Sequence, residues 1–516
     1  MLYETINGLN RDILLEIFGC YRLDSEKSWN FRLGWRNLSH VCQRWRHLIH
    51  ESAFFLNMHI LCTNGTPLLE TLDHLPPLPL FIKYKHKRMT TTEPDKSGIY
   101  HAIRLHDRLR HIKLQLPSSV LYDVLMLMDK PFPILQRLSL LSTDDKITLL
   151  ALPKTFLAPN LRHLALSSIR LPKRLRFLSS TTSLVTLELT DIGASGYFTP
   201  RLLVARLQPL LQLEYLFIEF STPIPRPGAE RELLEKQGTP VTLPNLLCLT
   251  FRGVSAYLES LVAQIRTPIL EQLIITFFNQ LVFALPYLSH FVNRTERLIL
   301  PNARIFFDYD KFSITQGHHG RLNDDGRFIL NVMCKPLDWQ IDCAAQICSA
   351  LMPVLFGVEE LRLDFYLSIM PIEWQNNGID DTTWHELLRT FIGAKDLHVC
   401  RSLSGELARA LQVDEIASDP GWLPGLQMLH LPGSYDLALF MDAHPLVRRP
   451  ALHFGPIYPS PSYILSDAIP WAPEPPPPPP PAPPSHPPLP PPPPPPAPPS
   501  EPFTSPSPSH SSLGLL

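Results

Sequence analysis

Along most of the chain the apolar residues recur in one short signature, L-x-x-L-x-L, with other apolar residues allowed at the marked positions. It reads as "LRHIKLQL" (109–116), "LQRLSLLS" (135–142), "LRHLALSS" (161–168), "LVTLELTD" (184–191), "LEYLFIEF" (213–220) and "LLCLTFRG" (246–253). It continues as "LEQLIITF" (270–277), "TERLILPN" (295–302), "VEELRLDF" (358–365), "AKDLHVCR" (394–401) and "LQMLHLPG" (426–433). The start-to-start separations are 26, 26, 23, 29, 33, 24, 25, 63, 36 and 32, and the 63 predicts a degenerate unit near "RFILNV" (327–332). In a strand, residues two apart share a face. Leu138 and Leu140 therefore point into a core, while Arg137, Ser139 and Leu141 point away. One such strand cannot bury its apolar side alone, but a stack of them can. The residues between units, such as "RLPKRLRFLSSTTS" (170–183), return the chain as helix or irregular coil.

Two earlier stretches carry a helical period instead. In "INGLNRDILLEIFGCYR" (6–22), Leu9, Ile13, Ile17 and Phe18, flanked by Leu14, mark an apolar stripe. Asn10 is placed as its N-cap, and Asp12 in the first turn suits the positive end of the helix dipole. In "LSHVCQRWRHLIHES" (38–52), Leu38, Val41, Cys42, Trp45, Leu48 and Ile49 form a second stripe, with the basic and polar residues opposite. The spacing predicts one helix over 38–52, after a polar connector at 23–35. A module of about fifty residues is near the lower limit for independent stability. Two short helices with this many large apolar residues keep a patch that a partner must cover.

Composition changes the picture mainly at the C-terminus. The chain has 57 prolines and 22 glycines, and "PWAPEPPPPPPPAPPSHPPLPPPPPPPAPPSEPF" (470–503) holds two runs of seven prolines. Proline fixes φ and lacks a donor, so this segment cannot be helix or sheet. Residues 456–516 are expected to be a disordered tail. Its "LPPPPPPP" (489–496) either docks in SH3, WW, EVH1 or profilin-like grooves, or is an unselected low-complexity extension. The formal charge is −2, which gives no overall attraction to nucleic acid or to a membrane surface. Eight sparse cysteines read as buried thiols in a reducing compartment. The sequence shows no signal-peptide pattern and no apolar run long enough to span a membrane, so the expected location is cytoplasmic or nuclear.

The repeat resembles the leucine-rich repeat, whose units are about 20–29 residues long. It departs from that family after the strand, where Asn or Cys is usual. Pro117, Thr143, Ile169, Ile192, Ser221, Val254 and Phe278 stand there instead, so an asparagine ladder at that position is absent. The expected fold class is α/β: a short helical module (1–57), an irregular, degenerate repeat solenoid (58–455) and the tail.

"LNRDILLEIF" followed by "LSHVCQRWRHLI" resembles an F-box, with V-C-x-x-W-R as its most specific part. Asn10 stands where that family usually has proline and Asp12 where it often has glutamate. "LCTNGTPLLETLDHLPPLPLFIKY" (61–84) and "TPILEQLIITFFNQ" (267–280) are similar to the large F-box families of mushroom-forming fungi. The resemblance implies docking onto a Skp-family adaptor and a cullin scaffold in an SCF-type ubiquitin ligase, with the repeats presenting a protein substrate. Carried onto this chain, adaptor contact falls to Leu9, Ile13, Leu14, Ile17 and Phe18, and to Val41, Cys42, Trp45 and Leu48. Trp45 is the foremost of these, since buried Trp dominates many interfaces. The outward strand positions proposed for substrate are His111, Lys113, Arg137, His163, Glu188, Tyr215, Phe217, Glu219, Arg252, Arg362 and Asp364.

Signatures of catalysis are not evident: there is no P-loop, G-x-S-x-G, H-E-x-x-H or dinucleotide fingerprint. A non-enzymatic protein without cofactor or metal is expected. "HH" (318–319) with Cys334, Cys343 and Cys348 lacks the paired spacing of a zinc site. "DD" (380–381) and "WHE" (384–386) read as the start of a helix, with capping or surface roles. From 83 to 113 there are nine Lys/Arg against three Asp/Glu, a net of +6. This segment is expected to be a solvated loop and surface face, with nuclear localisation or contact with an acidic substrate as the functional readings.

Overall fold

In the computed structural model, the described residues are 8–27, 38–52, 59–74, 77–85, 92–144, 150–171, 178, 180–223, 240–280, 282–298, 300–316, 327–334, 337–365, 381–412, 423–431 and 453–456. His318, His319 and everything after Pro456 lie outside them, and with them the proline tail. The repeats and the N-terminal helices belong to one compact unit, Met1–Ser460.

The strands are β1 (Ile60–Thr63), β2 (Leu80–Lys85), β3 (Leu109–Leu116), β4 (Arg137–Ser142), β5 (His163–Ser167) and β6 (Thr186–Ile192). They continue as β7 (Tyr215–Phe220), β8 (Val241–Thr242), β9 (Cys248–Gly253), β10 (Ile265–Arg266), β11 (Gln272–Phe277) and β12 (Asn302–Phe307). The last are β13 (Lys311–Gln316), β14 (Phe328–Met333), β15 (Glu360–Phe365), β16 (Asp396–Val399), β17 (Met428–Leu431) and β18 (His453–Pro456). Among the described residues, all but β8 and β10 join in one 16-stranded sheet, and β8 and β10 pair with each other. Neighbours along the sheet are parallel and follow chain order, apart from one inserted meander. This is a mixed α/β fold with a large, mostly parallel sheet, and it resembles a leucine-rich-repeat solenoid.

The signature explains the stacking. Its first apolar position is buried two residues before the strand at Leu135, Leu161, Leu184, Leu213, Leu246 and Leu270, and opens the strand itself at Leu109. Its second forms a lateral row, Ile112, Leu138, Leu164, Leu187, Leu216, Leu249 and Leu273, one residue per strand and all buried. Its third forms the next row, Leu114, Leu140, Leu166, Leu189, Ile218, Phe251 and Ile275. Parallel strands need crossovers of about a dozen residues or more. α1 (Arg11–Lys27) and α2 (Gln43–Glu51) precede the sheet, and helices supply several of the crossovers, beginning with α3 (Leu68–His74), α4 (Glu93–Arg104) and α5 (Ser118–Leu127). Further along come α6 (Pro200–Leu207), α7 (Ser255–Val262), α8 (Pro286–Asn293), α9 (Leu337–Ala350), α10 (Met352–Leu355), α11 (Asp381–Arg389) and α12 (Arg401–Gln412).

Polar devices at other positions tie neighbouring repeats together. The third residue before a strand faces the backbone carbonyl four residues before the preceding strand. Asn160 donates from Nδ2 to the Pro133 carbonyl at 2.6 Å, and Asn245 donates to the Leu211 carbonyl at 2.9 Å. Glycine holds the same position at Gly393, where a Cβ would collide with the Phe356 carbonyl oxygen. In two places a later repeat also caps a helix of the one before it. Asp144 accepts from the backbone N–H of Ser118 at 2.8 Å and from its hydroxyl at 3.0 Å. Gln280 does the same for Ser255 at 3.2 and 2.9 Å. These contacts satisfy the donors that every helix start leaves unpaired.

Several expectations are corrected. The unit at 295–302 is not a strand: Glu296–Leu298 is a 3₁₀ turn and the strand begins at Asn302. The long gap does hold a strand near the expected place, β14 at Phe328–Met333, but within a meander whose spatial order is β11-β14-β13-β12-β15. β14 is parallel to β11, and both β14–β13 and β13–β12 are antiparallel, so the chain doubles back before resuming its course. The 38–52 helix is interrupted over His40–Cys42, with Cys42 extended at φ −156° and ψ 168°, and regular helix resumes over Gln43–Glu51. The first helix runs to Lys27, into the expected connector. "LFIKYK" is strand β2, so the basic segment begins inside the sheet rather than in a loop. Pro456, expected to open the tail, closes β18 and pairs with Leu431. A helix does start at Asp381 and Glu386 is exposed, but His385 is buried, with Nε2 2.7 Å from the Ala410 carbonyl, and Trp384 is in the core.

Candidate functional site

The helices α1 and α2 pack through Phe18 and Trp45, whose rings meet edge to face with centroids 4.9 Å apart. Each residue of the V-C-x-x-W-R segment has its own place. The Cys42 sulfur accepts from the Trp45 backbone N–H at 3.4 Å and so caps α2. Arg46 donates from Nε to the Ser39 carbonyl at 2.9 Å, tying α2 to the turn before it. Arg44 donates to the Leu9 carbonyl at 2.6 Å, tying α2 to the start of α1.

This packing divides the nine residues expected to meet an adaptor. Leu14, Phe18 and Leu48 are 0%, 2% and 7% exposed and belong to the same continuous core as the repeats. Their surface is already covered by the chain itself, so they hold the fold and offer nothing to a partner. Leu9, Cys42 and Trp45 are half-buried. Ile13, Ile17 and Val41 remain 49%, 45% and 59% exposed. Ile13 and Ile17 are four residues apart on α1 and so share one face of it.

The second candidate is the open face of the sheet. The eleven residues expected for substrate all alternate with buried neighbours on that face. His111, Arg137, His163 and Tyr215 lie in one lateral row, in register across β3, β4, β5 and β7, with Thr186 of β6 between the last two. Lys113, Glu188 and Phe217 lie in the next row, and Arg362 lies in it far along the sheet. Glu219, Arg252 and Asp364 lie one row beyond.

The two ends of this face differ in charge. Toward the C-terminal end the charges meet one another. Arg252 reaches Glu219 at 2.6 Å, Arg304 and Arg362 reach Asp364 at 2.7 and 3.3 Å, and His398 lies 3.4 Å from Glu360. Toward the N-terminal end a groove of about 310 Å³ is lined by Phe81, Lys83, His111, Lys113, Arg137, His163 and Glu188, among others. Lys83 and Lys113 are lateral neighbours, and Glu188 is the one carboxylate among the described lining residues. Burial, then the repulsion of Lys85, Lys83 and Arg137, lowers the Lys113 pKa, with Glu188 acting in the opposite sense. Burial, then Arg137, pushes His111 down to about 3. Burial also lowers His163, again with Arg137 next. Both imidazoles are therefore neutral near pH 7, and the positive charge of the groove comes from lysine and arginine.

Phe81 is stacked on both sides, with His59 at 3.7 Å and His111 at 3.9 Å between ring centroids. Phe81, Lys83 and His59 were missed as site residues. The alternation in "LFIKYK" was the signal that marked Phe81 and Lys83 as outward strand positions.

All eight cysteines are among the described residues and none forms a disulfide. Among the described residues no group of three or more metal-ligating side chains is gathered in one place. No described helix is long and apolar enough to cross a membrane.

No protein-family model matches the sequence, and no curated protein matches it. Among solved structures, the crystal structure of the TLR13–ssRNA13 complex aligns over 72% of this chain and 45% of that one, with 13% identity and a TM-score of 0.30. The chain therefore spans less than half the length of that neighbour.

Proposed function

We propose that the chain is a non-catalytic, protein-binding repeat scaffold that serves as the substrate-recognition subunit of an SCF-type cullin–RING ubiquitin ligase. Its N-terminal helices dock a Skp-family adaptor and, through it, a cullin. Its repeats present a protein substrate, and it acts in the cytoplasm or nucleus. The observation that carries this reading is the state of α1 and α2. Their sequence resembles an F-box, and after packing on each other and on the repeats they keep Ile13, Ile17 and Val41 about half exposed. Large apolar side chains held outward on packed helices and on the turn ahead of α2 suit a partner's groove.

The test is co-purification of the full chain with a cullin, in the presence and absence of the Skp-family adaptor. The proposal expects the cullin to be retained only with the adaptor, and retention to survive deletion of 457–516. No retention under either condition would sink it. The proline runs favour a second reading, a scaffold that binds SH3, WW, EVH1 or profilin-like domains through its tail. In that case, deletion of the tail removes the partners while the adaptor makes no difference.

A further inference from the structure

From the groove on β2–β6 we infer that the chain recognises an extended acidic peptide segment of its protein partner, bound through that segment's carboxylate side chains. This takes from the proposed function only the idea that the repeats present a protein. The argument starts from charge. Lys83, Lys113 and Arg137 line one groove, with Lys85 on the same strand as Lys83. Glu188 is the single carboxylate among the described lining residues and lies at the far side of the groove, on β6.

Elsewhere on the same face the charges are of mixed sign. There Arg252, Arg304 and Arg362 each have a carboxylate within 2.6–3.3 Å. In the groove, burial and then the repulsion of the nearby Lys85, Lys83 and Arg137 lower the Lys113 pKa, with Glu188 acting in the opposite sense. A ligand that brings negative charge removes that repulsion.

Geometry selects a peptide over a nucleic acid. Single-stranded nucleic acids bind basic grooves by stacking bases on exposed aromatic faces. Phe81, the aromatic ring of this groove, has both faces occupied by His59 and His111. Adjacent strands place Lys83 and Lys113 about 4.8 Å apart along the sheet. Arg137 lies one strand further on and one row away. A chain crossing the strands there sets successive acidic side chains against successive cations. Glu188 then fixes direction, since it faces a donor or a basic residue of the peptide.

The test uses the full chain and fluorescence anisotropy of a labelled peptide of alternating glutamate and serine. Matching peptides carry glutamine or lysine in place of glutamate. The expected result is saturable binding of the glutamate peptide alone, weakened by salt. The double variant Lys113→Glu, Arg137→Glu should lose binding by about tenfold or more. It should gain binding of the lysine peptide, which a misfolded variant would not do. Lys395→Glu, far along the sheet, should bind the glutamate peptide like wild type. Equal binding of the glutamate and glutamine peptides would overturn the inference. So would displacement of the glutamate peptide by a single-stranded oligonucleotide at a lower concentration than the unlabelled peptide needs. Cullin retention measured on the same preparations reports on the ligase assignment separately, so either proposal can fail alone.

Discussion

Truncation of the three exposed apolar residues of α1 and its neighbouring turn separates docking from folding. Ile13 and Ile17 lie on α1 and Val41 just ahead of α2, each about half exposed. Full burial of such a side chain contributes about 1.5–3 kcal/mol, so covering the exposed half of each contributes about 0.7–1.5 kcal/mol. Three together give about 2–4 kcal/mol, or roughly 30- to 700-fold in affinity. The variant Ile13→Ala, Ile17→Ala, Val41→Ala should therefore bind a purified Skp-family adaptor that much more weakly in titration calorimetry. Its thermal midpoint should stay close to wild type, because alanine is a good helix former and the sites are on the surface. Phe18→Ala is the counterpart. It removes a buried ring that packs on Trp45, and it should cost about 3–5 kcal/mol of stability. Adaptor affinity unchanged in the triple variant would refute the reasoning. So would a fall in its thermal midpoint as large as that of Phe18→Ala.

Other consequences are open to simple measurement. His111 titrates near 3 in the folded chain and near its ordinary value when unfolded. The unfolded state then binds more protons between those values, so stability rises with pH across that window and is lost as pH falls through it. Between pH 7 and 5 the loss is at most about 2 kcal/mol, and His111→Gln should remove that part of the pH dependence in denaturant titrations. Gly393→Ala places a methyl against the Phe356 carbonyl and should lower stability by about 1–3 kcal/mol. Asn160→Ala loses one hydrogen bond to the Pro133 carbonyl and should cost about 1 kcal/mol, so the thermal midpoints of the two variants should differ in that order.

The strands were legible where three buried positions repeat with the period of a strand, as in "LRHIKLQL", which is β3 from end to end. Legibility failed where the same composition meets another geometry. "TERLIL" carries the apolar spacing, yet Leu298 and Leu300 are buried from a 3₁₀ turn and the segment after it. Periodicity reports burial, and a tight turn can bury the same residues. The meander β12–β14 was unreadable because antiparallel and parallel strands share the two-residue alternation, and only the pairing distinguishes them. In "LSHVCQRWRHLI" the helical period runs straight through His40–Cys42, where the backbone leaves the helix. That break turns Val41 outward, and the residue pattern does not show it. Charge was legible in sign but not in pairing. Arg362 and Asp364 were read as open to substrate, and the structure sets them 3.3 Å from each other.

Hydrogen–deuterium exchange of the full chain, with and without a saturating Skp-family adaptor, tests the central proposal most directly. The account predicts added protection confined to 9–18 and 38–51, the segments that carry Ile13, Ile17 and Val41, with the repeat strands unchanged. Unchanged exchange in those segments, or protection appearing on the strands of the sheet instead, would contradict it.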